Sequence, residues 1–126
     1  MHDALNRAGL DQIFLISPTT AEPRLRRAAE LGRGFLYAIS RLGVTGTSDA
    51  VSHTARPVVD AIRAVTDMPV ALGFGIGRPE HVREACEYAD AAVVGSALVQ
   101  IIADAGAGQA PADAERFVGW LKGRMP

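Results

Sequence analysis

Short apolar runs alternate with longer stretches whose apolar residues recur at helical spacing. Ile13-Phe14-Leu15-Ile16 is a short apolar run closed by Ser17-Pro18, the signature of a buried strand. Thr20 stands where a helix cap is wanted, and Pro23 falls in the first turn, where its missing N–H costs little. The helix that follows carries Leu25, Ala28, Ala29 and Leu31 and stops at Gly32. Phe35 to Ile39 is a second strand, and Ser40 to Thr54 is a long, mostly polar loop. Pro57 to Val65 places Val58, Val59, Ile62 and Val65 on one stripe, so it is a helix. Val70-Ala71-Leu72 is a third strand, and Arg78-Pro79-Glu80 opens a helix carrying Val82, Ala85, Cys86 and Ala89. Ala91 to Val94 is a fourth strand, followed at once by a short helix, Ala97 to Ala103. A loose stretch of small residues, Ala105 to Ala112, leads to a last amphipathic helix with Phe117, Val118, Trp120 and Leu121.

This order, strand and helix in four successive units, means parallel strands joined by right-handed crossovers. Two α/β architectures fit: a small open doubly wound sheet, or half of a (β/α)8 (TIM) barrel with a short extra helix before the last one. A whole barrel takes roughly 250 residues, and the chain has 126. Composition narrows the function. Lys+Arg 13 against Asp+Glu 14 gives a net charge of -1 and no basic excess for nucleic acid. The lone Cys86 excludes an internal disulfide framework and a multi-cysteine zinc site. No apolar run approaches the roughly 18 residues that span a bilayer, and Met1 to Arg7 does not read as a signal peptide. The expectation is a soluble, cytoplasmic domain with no nucleic-acid or membrane partner.

The chemistry concentrates at strand ends. Gly73-Phe74-Gly75 closes the third strand and Gly95-Ser96 the fourth. Glycines there allow positive φ and close approach of a ligand to the backbone. Gly95-Ser96 runs straight into the short extra helix, whose first N–H groups and dipole favour an anion. The run Gly73-x-Gly75-x-Gly77 is not a dinucleotide fingerprint, because its third glycine comes one residue early. Tyr37 sits inside the second strand, and the long loop after it, with Gly43, Thr45 and Gly46, has the character of a lid. His2 and His81 read as surface residues and His53 as a loop residue, and no cluster has metal-ligand spacing. Cys86 reads as inert packing on an apolar stripe, and Arg24, Arg26 and Arg27 as a solvated face. No acidic residue stands at the C-terminal end of any of the four strands, where an acid–base enzyme of this fold usually keeps one.

Three segments together resemble one family. Tyr37 to Gly46 (Y-A-I-S-R-L-G-V-T-G), Pro69 to Gly77 (P-V-A-L-G-F-G-I-G) and Val93 to Val99 (V-V-G-S-A-L-V) are similar to the C-terminal half of the tryptophan synthase alpha subunit, in order and with natural spacing. The resemblance implies strands five to eight of a (β/α)8 barrel, with residues 1–126 forming a single C-terminal half-barrel of four β/α units and no N-terminal half. It implies a carbon–carbon lyase family of tryptophan biosynthesis, whose reaction is retro-aldol cleavage of indole-3-glycerol phosphate to indole and glyceraldehyde 3-phosphate. The alpha subunit needs no cofactor and no metal; pyridoxal phosphate belongs to the partner beta subunit. By the same resemblance Leu15, Tyr37 and Phe74 line the substrate pocket, and Gly46, Gly75, Gly95 and Ser96 hold phosphate. Thr45 matches the threonine that orients the catalytic aspartate. The family's catalytic glutamate and aspartate belong to the N-terminal half, so the resemblance implies a chain that is inactive alone. The alternative is a catalytically inactive phosphate-binding half-barrel that self-associates through open barrel edges or complements a missing half. A third reading is a small doubly wound domain with an unrelated nucleotide ligand.

Overall fold

The structure, a computed structural model, describes residues 2–39, 55–73, 75–106 and 108–123. Along the chain run α1 (His2–Arg7), β1 (Phe14–Ile16), α2 (Glu22–Leu31), β2 (Leu36–Ile39), α3 (Ala55–Arg63), β3 (Val70–Gly73), α4 (Pro79–Ala85), β4 (Ala91–Val93), α5 (Ser96–Asp104) and α6 (Ala110–Leu121). The strands form one sheet in the order β1-β2-β3-β4, every pair parallel. A doubly wound sheet reverses its strand order at a switch point. This sheet does not, and sequential order is what a barrel wall requires.

The register decides which side chains share a face. Leu15, Tyr37, Ala71 and Ala91 are successive partners across the sheet, as are Ile16, Ala38, Leu72 and Ala92. Side chains alternate faces along a strand, so these two rows point opposite ways. The second row joins the core, where Ile16, Leu36, Ala38, Val70 and Leu72 pack with Leu25 and Ala28 of α2, Val58, Val59 and Ile62 of α3 and Ala85 of α4. Leu36, Ile62, Leu72, Val59 and Val70 are the largest fully buried side chains. Removing each from water contributes about 2 kcal/mol. Among the described residues the other face has no such layer, and Leu15 on it is 63% exposed. The helices therefore cover one side of the sheet, as they cover the outside of a barrel.

Several local expectations change. Thr20 does not cap α2: its hydroxyl accepts the Ser17 N–H at 3.0 Å and closes the 17–20 turn. Ala21 becomes the N-cap in an extended conformation, with Pro23 in the first turn. Gly32 closes α2 as expected, donating to the Ala28 carbonyl at 2.8 Å. The helix opened by Pro79 ends at Ala85, so Cys86 is its C-cap and is exposed rather than packed. The chain turns early because Asp90 is anchored to β3. Its N–H donates to the Val70 carbonyl at 2.9 Å, and its carboxylate accepts the Val70 N–H at 2.7 Å. Arg63, at the end of α3, donates to the same carboxylate oxygen and also to the Met68 carbonyl.

These bonds hold the Asp90 carboxyl below its ordinary value of 3.8, the Val70 N–H first and Arg63 second. A lowered folded-state value means stability that is present above the ordinary carboxylate range and lost as pH falls through the folded value. Equilibrium urea unfolding from neutral pH to below pH ~3 should therefore show an acid-dependent loss that is reduced in Asp90→Asn. Equal acid sensitivity of the two proteins would remove Asp90 as its source.

Candidate functional site

In a parallel sheet all strand C-termini share one edge, and ligands of α/β folds bind there. Ile16, Ile39, Gly73 and Val93 end the four strands at that edge. Tyr37 is half-buried on the open face, directly beside Leu15 in the register. Its ring leans along the neighbouring strand and lies across Gly73. A Cβ on Gly73 would fall on the Tyr37 hydroxyl and within 2.9 Å of Cε1. Gly73 is thus glycine for the sake of the tyrosine ring and not for positive φ.

Beyond Gly73 the chain turns at Gly75, whose φ of 75° is left-handed and favours glycine. Gly95 also departs from expectation. Its φ is -111°, and it serves as the N-cap of α5 with open space where a side chain would stand. The Val99 N–H donates to the Gly95 carbonyl at 3.1 Å, the first bond of the helix. The N–H groups of Ser96, Ala97 and Leu98 therefore precede the helical ladder and point out of its end. The β3–α4 loop and this helix end meet, because Gly77 packs against Ala97. Leu15, Tyr37, Gly75, Gly95 and Ser96 thus all belong to the open face or the C-terminal edge of one sheet. Thr45, Gly46, His53 and Phe74 lie outside the described residues.

The remaining candidates stand apart from this edge. Arg26 pairs with Glu22 at 2.7 Å and Arg27 with Glu30 at 2.8 Å on an exposed face of α2, as a solvated surface should. His81 is only partly exposed, and its Nδ1 is buried. Asp90 and Tyr88 have shifted ionisation, and both immediately precede β4, at the opposite end of the sheet. Burial is the first cause that pushes the Tyr88 phenol up, followed by Glu84. Among the described residues no group of acidic, histidine and cysteine side chains could hold a metal ion. No helix among them is long and apolar enough to cross a membrane. The roles of Gly73 and Gly77 had no signal in the sequence, because each depends on a contact with a residue far along the chain.

Fold and strand order together define half of a (β/α)8 barrel. The profile of the family described as tryptophan synthase alpha chain matches residues 1–121. The tryptophan synthase alpha chain of Solibacter usitatus is 46% identical over 99 residues, covering 79% of this chain and 37% of that protein. That of Mycobacterium avium is 46% identical over 103 residues, covering 82% and 38%. The tryptophan synthase α2β2 complex of the hyperthermophile Pyrococcus furiosus superposes with a TM-score of 0.83 at 31% identity, over 97% of this chain and 49% of that chain. Tryptophan synthase from M. tuberculosis gives 0.77 at 31% identity, over 99% and 45%. This chain belongs to the tryptophan synthase alpha chain family, an enzyme family of tryptophan biosynthesis, and spans about two-fifths of the length of these curated relatives.

The contact between Tyr37 and Gly73 can be read by a double-mutant cycle. Gly73→Ala should cost about 1–3 kcal/mol, the range for overpacking, because the ring must move. In a Tyr37→Ala background the same change should cost almost nothing. Equal costs in both backgrounds, from urea unfolding, would mean that the ring does not rest on Gly73.

Proposed function

We propose that this chain supplies the phosphate grip and one wall of the indole pocket of a tryptophan synthase alpha subunit. The reaction served is retro-aldol cleavage of indole-3-glycerol phosphate to indole and glyceraldehyde 3-phosphate. The observation that carries the reading is the assembly at one sheet edge of the Tyr37 ring over Gly73, the left-handed Gly75 and the Gly95-Ser96 end of α5. A phosphate dianion seats on the N–H groups of Gly75 and Ser96 and on the Ser96 hydroxyl, with the dipole of α5 favouring its charge. Gly46 adds a further backbone donor, and Leu15, Tyr37 and Phe74 form the apolar wall against the indole. Thr45 orients the catalytic aspartate.

Cleavage requires a proton delivered to indole C3 as the indole nitrogen gives one up; the glycerol hydroxyl then loses its proton to become the aldehyde, the carbon–carbon bond breaks, its electron pair returns to the ring, and the indole nitrogen regains a proton. No acidic residue follows directly on any of the four strands of this chain. The general acid and base come from the part of the family's barrel that this chain does not span, and the chain alone does not turn over. No cofactor enters the step. The product indole passes to a beta subunit, and the solved Pyrococcus furiosus relative is such an α2β2 complex.

A second reading is favoured by the 63% exposure of Leu15 on the open face. There the chain associates with itself through the β1 and β4 edges. Sedimentation at high concentration separates the two, since a monodisperse monomer excludes self-association.

The phosphate grip is tested by amide-resolved NMR of the purified chain during titration with glycerol phosphate. The Gly75, Gly95 and Ser96 signals should move together and saturate. Signals that stay fixed across the titration would sink the grip. Release of indole from indole-3-glycerol phosphate by the chain alone would overturn its inactivity.

A further inference from the structure

We propose that two copies of this chain close on each other into an eight-stranded parallel barrel, with β4 of each copy beside β1 of the other. The inference deepens the self-association reading above and rests on it, adding what covers the open face and how the edges pair. The four strands are parallel and in chain order, so β1 and β4 are the two free edges. A two-fold axis along the strands keeps every strand parallel and joins the edges at two identical seams, which closes the assembly. Eight strands make a barrel whose interior the side chains can fill. The sheet already has the curvature of such a wall, since 97% of this chain superposes on about half of the Pyrococcus furiosus alpha-subunit chain.

A second copy matches this surface in kind. The inward rows, Leu15, Tyr37, Ala71 and Ala91, then Ile39, Gly73 and Val93, hold no charged side chain. The edge strands Phe14-Leu15-Ile16 and Ala91-Ala92-Val93 have equal length. They carry neither a charge nor a proline, two devices that keep an edge from pairing. Among the described residues the exposed large apolar side chains are Leu10, Leu15, Val99, Ile102 and Val118. Leu10 and Leu15 lie just before and within β1, and the other three lie on the two helices that follow β4. α2, α3 and α4, which cover the outer side, contribute none. The exposed apolar surface is thus gathered at the two flanks that the two-fold axis brings together. Any other partner would have to supply a parallel strand at each edge and an uncharged face between them. A second copy supplies both.

The test combines sedimentation of the purified chain over a wide concentration range with amide-resolved hydrogen exchange. The expected species has twice the mass of one chain and grows no further, because closure leaves no edge free. In it the β1 and β4 amide protons that point to the open edges should exchange slowly. Leu15→Lys puts a charge on the inward face, and Val99→Lys puts one on the opposite flank. The two positions are 63% and 64% exposed in the single chain, so neither change touches its core. Each should weaken the dimer at least about tenfold and free the edge amides, because the charge must be stripped of water at the seam. A monomer at every concentration overturns both the barrel and the self-association reading. Assemblies that keep growing, or a dimer whose edge amides exchange as fast as in the variants, overturn the closed barrel and leave self-association standing. Should Leu15→Lys lose its dispersed spectrum, Val99→Lys decides alone, and an unchanged dimer affinity in it overturns the proposal.

Discussion

The parallel ladder imposes a strict alternation on this chain, and everything else is arranged around it. One row of partners, Ile16, Ala38, Leu72 and Ala92, looks into the helices, and the next, Leu15, Tyr37, Ala71 and Ala91, looks away from them. A slip of one residue in any strand would exchange the two rows. The cost of a slip is high because Leu36, Val70 and Leu72 are fully buried against α2, α3 and α4. The site inherits its geometry from this register. Tyr37 can reach across to Gly73 because β2 and β3 are aligned Ile39 to Gly73.

The two ends of the sheet divide the work. At the N-terminal end Asp90 ties β3, the turn before β4 and the end of α3 together through Val70 and Arg63. At the C-terminal end the backbone is opened by glycines rather than closed by side chains. In a (β/α)8 barrel the first end is the one that carries stability and the second the one that carries chemistry. The shifted ionisations obey the same division, since Tyr88 and Asp90 both precede β4.

Most of the architecture was legible in the sequence. Four short apolar runs separated by helical stripes led to four strands, and the short helix before the last one is α5. Local signals were less reliable where a distant partner competes. Thr20 has the right chemistry for a cap, but the Ser17 N–H takes its hydroxyl. Cys86 has helical spacing, but the Asp90 anchor ends α4 before it. Leu72 was visible as part of an apolar run, but only its register with Ala38 puts it in the helix-covered core. The glycines of the strand ends were visible as a group. Their separate reasons were not, because they come from Tyr37 and Ala97, which no spacing rule connects to them.

α5 has no buried residue and packs chiefly on α6, of which only Leu121 is buried. Units with so little apolar anchoring open locally at a lower free energy than the sheet they flank. In hydrogen exchange such a hairpin would lose its protons ahead of β2 and β3. Ser96 therefore belongs to a different cooperative unit from Gly75. A bound anion that bridges the two would cross-link those units and raise the protection of the weaker one.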